Sequence, residues 1–456
     1  MKRLSLFLVA TLLLVFCKTM AQDFSAISHG TTIYYKITSN TAPYTVDVTV
    51  CPTFFGCYSG YVVIPDSVSN NGITYHVTGI GTNAFNNCFQ LNSVIIPKSV
   101  TKIDTAAFYN CQPLTSITIP SSVNNIGMLA FDLCPTLTEI IVDSANTSYC
   151  SIDGVLFNSA KDTLIRYPGG KSGHYNIPST VTHIGINAFD ECDSLSSVVI
   201  PNSVTSIAYS AFYNCDRLTT IHLPNSVSDL YHNPFMACRN LTSIVLDSGN
   251  TNFYTENGIL FNYNRTQLIC YPAGKSGQYI IPDTVLSIGY DAFEGCYNLS
   301  KITIPYQVDY IGGRAFDNCT SLDSIVFERN TPPAIARPCF YNTPSSAIVI
   351  VPCQCEPAYR TVLSQWFYHF VEDCSPVSIA ETESPSQLKL YPNPASSTVT
   401  IEGWEENSSI QIVNTLGSVV KRIENIGQKT TISVGDLPKG LYFVRTNGTM
   451  RKLVVE

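Results

Sequence analysis

Cysteine and histidine are the residues with the most chemistry to offer in this chain of 456, which holds 17 of the first and 7 of the second. Eight cysteines share one setting, Phe-x-x-Cys: Cys88, Cys111, Cys134, Cys192, Cys215, Cys238, Cys296 and Cys319. A row of thiols at fixed spacing can cross-link, ligate a metal or simply pack. No histidine accompanies the row, which argues against a metal ladder. Residues at one repeat position point their Cβ atoms the same way, which argues against bridges between them. The spacing therefore predicts buried free thiols packing as small hydrophobes. Outside the row, Cys51 with Cys57, and two of Cys353, Cys355 and Cys374 (Cys353 and Cys374 foremost), are the better disulfide candidates.

The remaining motifs are weak as chemistry. Gly-Lys-Ser occurs at 170–172 and 274–276, but a phosphate loop needs a glycine where Ile165 and Ile269 stand. Asp-Ser-x-Asn-Thr at 143–147 and 247–251 lacks the further carboxylates calcium needs, so a capped turn is expected. His29, His76, His174, His183, His222, His232 and His369 are scattered, with no recognisable acid and nucleophile beside them. Neither H-E-x-x-H nor G-x-S-x-G occurs. The chain reads as no enzyme, with no cofactor and no metal. Its formal charge of −8 and lack of a basic patch argue against nucleic acid and anionic membranes.

The elements that hold these residues form a repeat of 23: A-F-x-x-C-x-x-L-x-x-(I/V)-x-(I/L)-P, then V-x-x-I. Its phenylalanines are Phe85, Phe108, Phe131, Phe189, Phe212, Phe235, Phe293 and Phe316. A fixed period of this size predicts a solenoid whose coils bury their apolar face by stacking. The strand in L-x-x-I-x-I ends at the proline, V-x-x-I gives a second short inward segment, and A-F-x-x-C forms a turn of helix or an irregular corner. Insertions at 143–178 and 247–282 resemble each other and set a larger period of 104. Each reads as a protruding hairpin, with Tyr167, Tyr175, Tyr271 and Tyr279 nearby as a candidate face. The count of strand ends from Ile64 to Val351 gives twelve rungs.

The fold class is mainly β with short helical turns. Residues 1–21 read as a signal peptide, with Lys2 and Arg3 before an apolar run and a small-residue cleavage site. Phe16 before Cys17 disfavours a lipoprotein signal, and no further segment is apolar enough to be transmembrane. Residues 22–80 form an N-terminal cap, 81–330 the repeat array, and 331–374 a C-terminal cap with helical spacing of Tyr359, Val362, Leu363, Trp366 and Phe370. Residues 375–387 are a linker, and 388–456 alternate as a small β-sandwich.

The units resemble BspA-type leucine-rich repeats of bacterial surface proteins, on L-T-S-I-T-I-P-S-S-V-N-N-I-G at 114–127, the eight F-x-x-C copies, and G-V-L-F-N with Y-P-G-G-K at 154–171. The tail resembles the C-terminal sorting domain of the type IX secretion system, on L-Y-P-N-P at 390–394, I-Q-I-V-N-T-L-G at 410–417, L-P-K-G-L-Y-F-V at 437–444, and Arg451-Lys452. The resemblance implies export to the outer surface of a Gram-negative cell through that machinery, by way of 388–456. It also implies adhesion to a protein ligand, such as host matrix or other cells. The alternative is a structural surface spacer without a ligand. The binding face expected from the pattern is the outward column of the strands, a rigid concave sheet carrying Ile95, Thr118, Ile141, Val199, His222, Val245, Thr303 and Val326.

Overall fold

The computed structural model describes residues 22–52, 58–374, 388–402, 409–414, 418–423, 429–446 and 449–456. The leader, the linker and Cys57 lie outside them. The chain divides into two compact units, Met1–Asp373 and Cys374–Glu456.

The first unit is a β-solenoid of about thirteen turns. Its front strands run from Ser59–Val63 through Gln90–Ile95 and Ser116–Ile119 to Ile348–Pro352 and His369–Asp373. The last of these is one rung more than the sequence pattern gives. It pairs parallel with Ile348–Pro352, and it takes Phe370 out of the expected helix, which stops at Glu356–Leu363. The V-x-x-I segments make the second sheet, in strands as short as Lys102–Ile103 and Asn125–Ile126, paired one repeat apart. The corner between the two sheets is irregular rather than helical. Residues two before and two after the repeat phenylalanine take positive φ, as at Ala106 and Asn110 around Phe108. Asparagine tolerates that region best among non-glycine residues, and it recurs after the phenylalanine at Asn87, Asn110, Asn214 and Asn318.

The core is a file of stacked rings. Phe85 and Phe108 lie 4.9 Å apart and nearly parallel, Phe189 and Phe212 4.7 Å, Phe293 and Phe316 5.0 Å. Two tyrosines of the insertions join the file: Tyr167 stacks on Phe189 and Tyr271 on Phe293, both at 5.1 Å. Tyr167, Tyr175 and Tyr271 are buried and Tyr279 is half-buried, so they are core and not a face. The hairpins do not protrude either. Tyr149–Ile152, Val155–Asn158 and Thr163–Arg166 form an antiparallel meander whose last strand joins the second sheet beside His183–Ile184. Val155, Leu156, Phe157 and Leu164 are fully buried within it.

Each insertion is thus a coil of its own, built without an A-F-x-x-C corner. The corners on either side close upon each other. Asn187 donates to Asp132 across the first gap at 3.3 Å. At the second gap Asn233 donates to the Asp291 carbonyl at 2.9 Å, and the Ala237 amide to the Glu294 carbonyl. Gly295, at φ +72, sits where a Cβ would come 2.6 Å from the Ala237 Cα. At both places, here called bends, the corners of the flanking coils meet directly across the inserted coil.

The second unit has two sheets, one of Lys389–Tyr391, Thr398–Glu402 and Lys429–Ser433, the other of Ile410–Asn414, Val419–Ile423, Gly440–Thr446 and Thr449–Val455. Leu388, Val399, Ile401, Ile412, Val444 and Leu453 share one core. Asn393 of the L-Y-P-N-P motif clamps the final strand. It donates to the Lys452 carbonyl at 2.6 Å and accepts from the Val454 amide at 2.8 Å.

Candidate binding face

Alternate residues of each front strand point outward because a strand turns its side chains by half a turn per residue. Parallel register then lines the outward residues of successive strands into columns. Ile95 stands beside Val63, Ile141 beside Thr118, Val199 beside Asn176, and Val245 beside His222. Toward the C-terminal end one unbroken register holds Ile280, Thr303, Val326 and Ile350, and Val371 follows on the last strand beside Ile350. The insertion coils add Asn176 and Ile280 to the column, and the caps add Val63, Ile350 and Val371. Sequence reasoning missed Asn176 and Ile280 because it assigned the insertions to protruding hairpins.

Exposure along the column is uneven. Ile95, Ile141, Val199 and Ile280 are 59%, 42%, 49% and 70% exposed, which makes them accessible to a partner. Thr118 and His222 are exposed, and Val245 and Val326 are half-buried. Thr303 is only 9% exposed, between its register partners Ile280 and Val326, and offers little to a ligand. In the neighbouring column, Tyr61 is the large exposed ring at the N-terminal end.

One polar chain crosses this face. His174 shares a hydrogen bond with the Ser197 hydroxyl at 2.7 Å through Nδ1, and another with Asn176 Oδ1 at 2.9 Å through Nε2. The order mimics a nucleophile, base and orienting group. It lies on the outward face of the paired strands Gly173–Asn176 and Leu195–Val199.

The repeat cysteines are free and buried. Their thiols also do something sequence reasoning missed: each reaches back to the preceding coil. Cys111 donates to the Phe85 carbonyl at 3.1 Å, Cys215 to Phe189 at 3.0 Å and Cys238 to Phe212 at 3.0 Å. Burial pushes the Cys88 thiol up to about 11 and Cys192 to about 12, leaving them protonated and inert. Cys51, Cys353 and Cys374 are disulfide-bonded. Cys353, Glu372 and Cys374 bring potential ligand atoms within 4.8 Å of one another, but the oxidised sulfurs leave no thiolate for a metal.

Gly170 and Gly274 of the Gly-Lys-Ser turns press on the backbone of the previous coil, where a Cβ would lie 2.6 Å from Thr136 and Asn240. In the Asp-Ser-x-Asn-Thr turns the asparagine is the staple. Asn146 accepts from the Ser148 and Tyr149 amides and donates to the Pro120 and Val123 carbonyls of the coil before.

The arrangement is that of a leucine-rich-repeat solenoid with a separate β tail. Residues 53–168, 171–269 and 273–367 match the BspA type leucine rich repeat region, and the chain belongs to that family. Residues 389–456 match the secretion system C-terminal sorting domain, which marks a secreted or cell-surface protein handled by type IX secretion. No helix among the described residues is long and apolar enough to cross a membrane.

The chain is similar to a leucine-rich cell surface protein of Faecalibacterium prausnitzii, at 24% identity over 78% of this chain and 96% of that one, with a TM-score of 0.43. It is similar to a leucine-rich repeat protein of Bacteroides ovatus at 23% identity, over 72% and 78%, with a TM-score of 0.34. Over 69 residues it is 42% identical to beta-agarase A of Zobellia galactanivorans, a stretch that is 15% of this chain and 13% of that enzyme.

Proposed function

We propose that this chain is a surface-displayed, non-catalytic binding protein that adheres to a protein of host matrix or of other cells through its outward strand columns. The observation that carries the reading is the set of exposed β-branched side chains Ile95, Ile141, Val199 and Ile280, each on the outward face of a parallel-paired front strand. Exposed apolar side chains in register mark interaction surfaces. A sheet held by its own ladder also loses little entropy on binding.

The test is adhesion of beads coated with the purified chain to surfaces coated with solubilised extracellular matrix. The triple variant Ile95→Asp, Ile141→Asp, Val199→Asp should lose adhesion while keeping its thermal unfolding transition. Undiminished adhesion by that folded variant sinks the strand-face reading. No adhesion by the unaltered chain favours a surface spacer instead.

A further inference from the structure

The corner position three residues before the repeat phenylalanine is free to vary. It is Thr82 and Thr105 in the first coils and Ile186 after the first insertion, but Tyr209, His232 and Tyr290 around the second bend. Because the second insertion supplies no corner, His232 and Tyr290 meet across it with ring centroids 4.9 Å apart, and Tyr209 stands edge-on to His232 at 6.1 Å. In the next coil the position is Gly313, where a Cβ would lie 2.9 Å from the Tyr290 ring. With exposed Tyr231 and Arg337 these residues enclose a cleft of about 570 Å3 along the corner column, open to solvent.

The cleft has polar groups of both signs at fixed places. Asp291 is buried in its floor, and its Oδ1 accepts no hydrogen bond, the nearest cation being Arg314 Nε at 3.6 Å. Arg314 is held by the Tyr209 hydroxyl at 3.0 Å and Glu294 at 2.7 Å, with Asp317 at 3.6 Å. At the rim, the Arg337 guanidinium lies 5.7 Å from the Trp366 ring centroid.

Charge narrows the choice of ligand. The carboxyls of Asp291, Glu294 and Asp317, all within 3.6 Å of Arg314, offset its charge, so an anion entering the cleft gains little from it. A cation would meet the guanidiniums of Arg314 and Arg337. A neutral molecule with an apolar face and a hydroxylated edge suits all of them. Its C–H face packs on tyrosine rings, while its hydroxyls accept from Arg337 and bond to the hydroxyl of exposed Tyr231 at the rim. We propose that the cleft at the second bend binds a neutral carbohydrate. The first bend, with Met128 and Ile186 in place of His232 and Tyr290, has no aromatic wall to do the same.

The experiment is calorimetric titration of the full exported chain with maltotriose, cellotriose and chitotriose. Saturable binding of at least one is expected. The variant Tyr231→Ala, Arg337→Ala should weaken it by about tenfold or more, and thermal unfolding of this variant, altered only at exposed side chains, should match the parent. The variant Ile95→Asp on the strand face should bind the same trisaccharide unchanged, which separates this site from the adhesive face. Three results each overturn the proposal: no binding of any trisaccharide, equal binding by the double variant, or tighter binding of benzoate or benzyltrimethylammonium than of every trisaccharide.

Discussion

At the scale of single residues, the conspicuous letters of the repeat do more than fill space. The cysteine identifies itself as a small buried residue from its regular spacing alone. Its bond to the phenylalanine carbonyl one coil back was not legible, because that bond depends on how successive corners are offset along the stack. Buried acids are the other surprise. Burial, with Asp132 alongside, pushes the Asp190 carboxyl up to about 8 from an ordinary value near 3.8. A raised carboxyl favours the folded state while it is protonated. Its contribution is therefore complete below pH ~4 and is lost as pH rises through about 8. We expect Asp190→Asn to unfold at a higher temperature than the parent at pH 8 and to narrow the difference between pH 5 and pH 8, read by circular dichroism melts.

At the scale of elements, the two bends solve one problem differently. In the first, Arg166 is buried in an ion pair with Asp132 at 2.9 Å and donates to the carbonyls of Asn187 and Asp190. One superperiod later the equivalent positions are Cys270 and Met236, both fully buried. Removing one partner of a buried pair strands the other charge, at a cost of about 3–5 kcal/mol, whereas replacing both by apolar groups is often neutral. Arg166→Cys should thus destabilise by about that amount in urea unfolding. The pair Asp132→Met, Arg166→Cys should recover most of the loss; equal destabilisation by both would refute this account. The strands, their parallel register and the ring file were legible because they rest on letters that recur every 23 residues. The bends were not, because they arise from what the insertions lack. A missing corner has no letter to read, and the tyrosines that replace the phenylalanine looked like surface residues of a hairpin.

At the scale of the whole chain, the repeat unit and the tail carry separate tasks. The tail has its own core and its own clamp at Asn393, and the sorting role belongs to it. A chain ending before Leu388 should accumulate inside the cell, while the full chain reaches the surface or the medium; fractionation followed by immunoblotting reads the difference. The columns of the solenoid were legible in their central coils, yet their ends were not, since the last strand, His369–Asp373, carries no repeat signature and is recognised only by its place beside Ile348–Pro352.

The thiols of the ladder carry a further consequence, one of timing. Folded, they are shielded and paired to carbonyls. Unfolded, the same sulfurs are strung along a chain that must pass through compartments where disulfides form. Any two that oxidise early would be tied together at a separation the native coils never allow. Successful export is therefore a race between coil closure and oxidation. The repeat is built to run it quickly, since each coil closes on a neighbour only 23 residues away.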